Sequence, residues 1–338
     1  MPRSHKRPDV ETIYYAGAKI SLFHPEQPPA KPVQRMLGKL PTWPRLVLKD
    51  QLEEELVTAP LDACYAREIP YLSSSEATTI ELEEGLSIGF RESHAAQVWR
   101  VTSPISPKPL VARLYDPLYF RNFTVDRFAH TERAVAIQDE GYKHLNGLEG
   151  SHVPSLHGVF VAEICGIGFP RPRHIYCVLS DYVPGIDLRC LMNEHDDRAH
   201  SKTCHAHKAA IVDCAARLVY DFFGRAIIPE DMYPRNLIMD VPDIPSSEEF
   251  CNVKDCPWRK KIHIDFDFPR MQPEHPYAPK AQLIDLELLR FMKPLSGMQN
   301  IAYCRQWVLG QWKAPWTGPE AKKLLGVCDK NREETVDK

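Results

Sequence analysis

Hydrophobic and polar positions change their period several times along this chain. From Thr79 onward, short runs alternate with a period of two, at residues 87–91, 98–102 and 110–115. Turn residues separate them, so the pattern predicts an antiparallel meander. The period then lengthens to that of a helix over residues 126–145, where Phe128, Ala129, Val135, Ala136, Tyr142 and Leu145 supply apolar faces. Two further strand-like runs follow at 153–160 and 175–179, the second almost wholly apolar. A second helical stretch covers 204–223, with Ile211, Ala215, Leu218 and Phe222 on one face and Gly224 as its stop. Residues 240–262 are polar and proline-containing, which reads as an insertion. Strand-like runs recur at 262–266 and 282–287, and a final segment carrying Trp307, Trp312 and Trp316 reads as helical.

The first 78 residues follow a different rule. Pro25, Pro28, Pro29, Pro32, Pro41, Pro44, Pro60 and Pro70 fall here. Proline removes a backbone donor and fixes φ, so long helices and central strands are disfavoured. This part is expected to be an arm with little regular structure and one short helix around 48–56.

Composition narrows the class without choosing a function. The chain has 338 residues, 43% hydrophobic and 26% charged, with a formal net charge of -3. That is ordinary for a globular protein, and the charge balance points to neither a nucleic-acid nor a membrane partner. The basic start lacks the apolar core of a signal peptide, and no apolar run is long enough for a bilayer. With ten Cys and no secretory signal, the thiols read as reduced and mostly buried, and the expected compartment is the cytosol or nucleus.

The chemistry concentrates at residues 228–239. Asp231 is followed five positions later by Asn236, and a short apolar stretch comes next. An Asp can accept the proton of an attacking hydroxyl, and an Asn oxygen can hold a magnesium ion. Two strand-end aspartates downstream could supply a second metal ligand: Asp285 in Leu283-Ile284-Asp285-Leu286-Glu287, which is favoured, and Asp265 in Ile264-Asp265-Phe266-Asp267, its rival. Two His/Cys clusters, His200 to His207 and Cys251 to His263, lack paired metal-ligand spacing and read as solvated or packed side chains.

Five strand-like runs around one helix, a linker, and a mainly helical half with two acidic sites resemble the protein-kinase-like fold over residues 79–325. The closest likeness is to divergent fungal-type kinase-like proteins and to aminoglycoside and choline kinases. The resemblance implies an α+β, bilobal fold: a small antiparallel N-lobe with one helix at 79–182, and a mainly helical C-lobe at 183–325 with an insertion near 240–280. The arm at 1–78 and a polar tail at 326–338 flank them.

The same resemblance implies ATP and magnesium as cofactors and a hydroxyl acceptor, small molecule or protein, as partner. Asp231 would be the catalytic base, with Asn236 and Asp285 (or Asp265) as metal ligands. Arg113, in Leu110-Val111-Ala112-Arg113-Leu114-Tyr115-Asp116, stands where such kinases place a phosphate-binding Lys. Its helix partner is Glu132, Gln138 or Glu140. Asp181 and Val183 match the linker that meets adenine, and Asp187 the ribose acid. Three departures support a pseudokinase as the alternative: Arg113 for Lys, Pro229 where a bracing His is usual, and a glycine-poor phosphate loop at 89–97.

Overall fold

A computed structural model describes residues 12–27, 64–65, 69–72, 77–87, 96–119, 127–166, 169–188, 205–229, 232–240, 280–283, 289–291 and 300–312. The chain divides into two compact units. The first comprises Met1–Gly150 and Pro154–Tyr182, the second Ser151–Val153 and Val183–Lys338.

The first unit is a closed antiparallel barrel with one helix. Its strands are β1 (Lys19–Phe23), β2 (Thr78–Ser87), β3 (Gln97–Ser103), β4 (Ser106–Tyr115), β5 (Leu156–Ile164) and β6 (Arg173–Asp181). Their spatial order is β1-β2-β3-β4-β6-β5, and β1 closes the ring by pairing with both β2 and β5. Helix α1 (Arg127–His144) lies between β4 and β5 in sequence.

Strand alternation sorts the side chains. On β4, Leu110, Ala112 and Leu114 enter the barrel core beside Ile80, Val101 and Leu179. The opposite face carries Tyr115, which packs with Val178 and with Ala134 and Val135 of α1. A period of two puts Arg113 on that helix-covered face. Glycine is required at Gly158, which sits at a register shift with φ +150°, where a Cβ would come within 3.0 Å of the Phe160 ring.

Two expectations are corrected. Residues 19–23 form a strand, although a segment with little regular structure was expected before residue 78. Lys-Ile-Ser-Leu-Phe alternates, Ile20 and Leu22 are buried, and the prolines stand outside the strand. Local alternation thus outweighs the proline count of the surrounding segment. A strand runs over Thr78–Ser87, ahead of the expected 87–91 run, because Ile80 and Leu82 alternate with glutamates and drop into the core; residues 88–91 lie outside the described residues. The helix expected around 48–56 lies outside the described residues.

A buried charged network joins three distant stretches of this unit. Arg173, at the start of β6, forms a bidentate pair with Asp116 just after β4, at 2.9 and 2.7 Å. The Tyr14 hydroxyl donates to the same carboxylate at 2.7 Å, and the Leu118 amide donates at 3.0 Å. The Phe169 ring lies 4.5 Å from the guanidinium. Burial alone would raise the Asp116 pKa; the Arg173 charge and the hydrogen bonds outweigh it and hold the carboxyl below its ordinary value. Burial, followed by the Asp116 charge, pushes the Tyr14 phenol well above its ordinary value.

The second unit pairs helix α2 (His205–Gly224) with helix α3 (Ile301–Gln311). Arg305 meets Asp213 at 2.5 Å between them, and Trp307 sets its ring edge-on to Phe223. A sheet of order β10-β9-β7 uses β7 (Ile186–Asp187), β9 (Leu237–Asp240) and β10 (Lys280–Leu283). A two-stranded sheet joins β8 (Ile227–Pro229) to β11 (Leu289–Phe291). Among the described residues, no helix is long and apolar enough to cross a membrane.

The network makes a stability prediction. Tyr14→Phe removes one hydrogen bond to a buried carboxylate and should cost about 1.5–3 kcal/mol at neutral pH. The wild-type advantage should shrink above about pH 10, where the unfolded phenol ionises while the folded one stays protonated. It should also shrink below about pH 4, as the folded Asp116 is protonated at lower pH than the unfolded one. Denaturant unfolding of both proteins across pH checks this; a difference that does not change with pH contradicts it.

Candidate functional site

In the first unit, Arg113 is 6% exposed and its Cα neighbours are Val98 on β3 and Val178 on β6. Of its three expected helix partners, Glu140 engages Lys143 and His144 along its own helix at 3.6 and 3.4 Å. Gln138 is buried and donates from Nε2 to the Tyr115 hydroxyl, two residues from Arg113 on the same strand face. Glu132 is half-buried and lines a cavity of about 20 Å³ with Phe128, Thr131 and Tyr115. Helical spacing explains the difference. Thr131, Ala134, Val135, Gln138, Tyr142 and Leu145 repeat at three or four residues, so Gln138 falls on the inward stripe and Glu140 beside it.

Asp181 ends β6. His157 Nε2 lies 2.7 Å from its Oδ1, and its amide donates to the Ser155 carbonyl at 2.9 Å. The Tyr182 amide donates to the Pro109 carbonyl at 3.2 Å, and the Arg100 guanidinium lies 5.8 Å from the Tyr182 ring centre. Two backbone donors at this strand end are thus committed within the first unit. Val183 is half-buried and opens the second unit.

In the second unit, the chain between α2 and β9 is shaped by backbone bonds. The Arg225 and Ala226 amides close α2 onto the Phe222 and Phe223 carbonyls, and Ala226 takes φ +59°, the left-handed position that usually favours glycine. Buried β8 follows. Pro234 starts a single 3₁₀ turn, Pro234–Asn236, where its fixed φ suits the first helical position. The Asn236 amide donates to the Tyr233 carbonyl at 2.9 Å, and the Leu237 amide to Pro234. Arg235 lies 4.9 Å from the Tyr233 ring centre. Asn236 is 6% exposed.

The sheet beyond that turn gathers three candidate segments. Asp187 on β7 is the Cα neighbour of Ile238, two residues past Asn236. Leu283 on β10 is the neighbour of Leu237, directly after Asn236, and stands two residues before Asp285 in sequence. Asp231, Asp265 and Asp285 themselves lie outside the described residues, as do the phosphate-loop residues 88–95 and His200, Cys204, Cys251, Cys256 and His263. Among the described residues, no His, Cys, Asp and Glu group is placed to hold a metal ion.

Sequence reasoning missed Trp312. Its indole Nε1 donates to the Met232 carbonyl at 2.8 Å, and both residues are buried. This brace from the end of α3 holds the chain three residues after Pro229, where stiffness was in question for want of a His. No local signal marks it, since the partners are 80 residues apart.

No family model matches the chain, and no curated protein matches it. Solved structures give low-scoring likenesses. One is the Mycobacterium tuberculosis PknI kinase domain, with 16% identity, a TM-score of 0.34, and coverage of 62% of this chain and 59% of that one. Another is the ROP18 kinase domain in complex with AMP-PNP and sucrose, at 13% identity, TM-score 0.34 and coverage of 56% and 57%. A third is WaaP in complex with acyl carrier protein, at 12%, 0.37, and coverage of 83% and 88%. The chain spans less than two thirds of the first two. At these scores the likeness carries no argument.

The Trp312 brace is testable. Trp312→Phe keeps the apolar bulk but strands a buried carbonyl, which should cost about 1–3 kcal/mol. Amide exchange at Asn236 and Leu237 should accelerate more than exchange within α2. Equal protection in the variant and the wild type would contradict a bracing role.

Proposed function

We propose that this chain is a kinase-like phosphotransferase that moves the ATP γ-phosphoryl group to a hydroxyl acceptor. The observation that carries the reading is the register of the β7-β9-β10 sheet. It sets Asp187 beside Ile238 and Leu283 beside Leu237, so the strand leading to Asp285 runs next to Asn236. Asp285 follows Leu283 by two residues in sequence. Asp285 is the favoured second metal ligand, with Asp265 its rival. The order of elements supports the same reading. Strands β2 to β6 surround one helix placed between β4 and β5, and a helix, β8 and the Asp231 to Asn236 segment follow in the second unit.

The donor set fits magnesium. The Asn236 carboxamide and a carboxylate from Asp285 offer hard oxygens and no thiolate or imidazole. Magnesium bound there would neutralise charge developing on the phosphates. Asp231 then orients the acceptor hydroxyl and takes its proton. Arg113, buried on β4, adds positive charge toward the phosphates in place of the usual Lys, and Asp187 is a ribose acceptor. Rate acceleration of this kind comes from positioning and electrostatics. Nucleotide and a hydroxyl acceptor are the partners the reading implies.

A second reading is a pseudokinase that binds nucleotide without turnover. Gln138, the buried α1 residue bonded to Tyr115 beside Arg113, is a neutral amide, and Arg113, Pro229 and the glycine-poor loop at 89–97 depart from the kinase pattern.

Calorimetry with ATP, with and without magnesium, and a label-transfer assay separate the readings. Asp231→Asn should lower turnover about 10²–10⁴-fold while leaving nucleotide affinity nearly unchanged. Asp285→Asn should weaken magnesium-ATP binding more than about tenfold, a loss on the order of 1.4 kcal/mol or more. Binding without turnover across many acceptors would select the pseudokinase. No nucleotide binding in either condition would overturn both.

A further inference from the structure

The turn between β3 and β4 carries two Ser-Pro dipeptides, Ser103-Pro104 and Ser106-Pro107, with Lys108 and Pro109 after the second. The proposed phosphotransfer gives none of these residues a role. Pro104, Ile105, Pro107, Lys108 and Pro109 are exposed, and the two serines are half-buried. The two dipeptides differ in backbone. Pro104 and Ile105 form the turn, whereas Ser106 to Pro109 open β4 in extended conformation.

The pairing that holds this end of the hairpin is thin. Ser103 faces Ser106 and Val101 faces Leu110, with a register shift between them. Thr102 of β3 therefore stands against Pro107, Lys108 and Pro109 of β4. Pro107 and Pro109 have no N–H to give to a ladder. The Lys108 amide donates to the Ser106 hydroxyl oxygen at 3.1 Å, within its own strand. The Ser106-Pro107-Lys108-Pro109 run is thus extended and exposed, and lifting it from β3 breaks few backbone bonds.

An extended, accessible run with a hydroxyl is what a serine kinase cleft needs, because the substrate backbone lies along it. Proline after the serine narrows the class. A kinase whose pocket offers no acceptor for the next residue's N–H penalises every residue but proline, since any other buries an unpaired donor. Lys108 then offers a cation to an acidic cleft. The Ser106 hydroxyl uses a lone pair, not its proton, on the Lys108 amide. Ser103 is the poorer candidate, since Pro104 leads straight into the turn.

We propose that Ser106 is a phosphorylation site for a separate, proline-directed serine kinase. The Ser106 oxygen attacks the γ-phosphorus of ATP, the bond to the β-phosphate oxygen breaks, ADP leaves, and the hydroxyl proton passes to that kinase's base. The phosphate then stands two residues from Lys108, whose amide and ammonium are both charge-assisted donors to it. It adds about two negative charges near Pro109, whose carbonyl accepts the Tyr182 amide from the end of β6 at 3.2 Å. The site does not rest on phosphotransfer by this chain.

The test incubates the folded full chain with a purified proline-directed serine kinase and ATP, and maps phosphate by mass spectrometry. A synthetic peptide of residues 100–112 is the fully accessible reference. Ser106 should be modified in both, and the folded chain should react within about tenfold of the peptide's rate. Pro107→Ala should slow uptake at Ser106 about tenfold or more, as one unpaired N–H would. Ser103→Ala should leave uptake at Ser106 unchanged, and so should Asp231→Asn, which excludes self-modification. Uptake by the peptide but not by the folded chain would show that the hairpin shuts the site and would overturn the proposal. So would no uptake in either, phosphate on Ser103 instead of Ser106, an equal rate in Pro107→Ala, or loss of uptake in Asp231→Asn.

Discussion

The bidentate bond between Arg173 and Asp116 is the constraint on which the first unit depends. It ties the end of β4 to the start of β6, 57 residues apart, and Tyr14 brings a third segment to the same carboxylate from 102 residues away. Two ions taken out of water are costly, and their attraction repays that cost only when the remaining lone pairs are filled. Here the Tyr14 hydroxyl and the Leu118 amide fill them. Removing one partner would leave an uncompensated buried charge, a loss of about 3–5 kcal/mol in comparable cases. The geometry of β4 follows from this anchor. Arg113 stands three residues before Asp116, and Tyr115 between them receives Gln138 from α1. The strand, the helix and the N-terminal segment are thus fixed as one piece around the position proposed to meet phosphate.

Much of this was legible as periodicity. Residues 110–115 and 175–179 alternate or run apolar because they are central strands, and 126–145 and 204–223 carry helical stripes because each buries one face. The strand at Lys19–Phe23 was hidden by its proline-rich surroundings, although its own alternation is clean. The Asp116, Arg173 and Tyr14 network was not legible at all. Each residue is unremarkable in its local window, and only the folded register brings them together. Trp312 was hidden for the same reason. Gln138 illustrates a finer limit: sequence offered three residues on one helix, and only packing showed that 138 faces inward while Glu140 pairs along the helix.

In the second unit, the Asp231 to Asn236 spacing was readable because the two residues stand five positions apart in the sequence. The choice between Asp265 and Asp285 was not, because both end apolar runs. Both aspartates lie outside the described residues, and the register adds only that β10 pairs with β9 and ends beside Leu237.

The central claim is that the β7-β9-β10 sheet assembles a metal-nucleotide site around Asn236. The most direct measurement is paramagnetic broadening of assigned amide resonances when manganese replaces magnesium in the ATP complex. The account predicts strong, distance-dependent broadening at Asp187, Asn236, Leu237 and Leu283. Sharp resonances throughout that sheet, with nucleotide bound and manganese present, would contradict it.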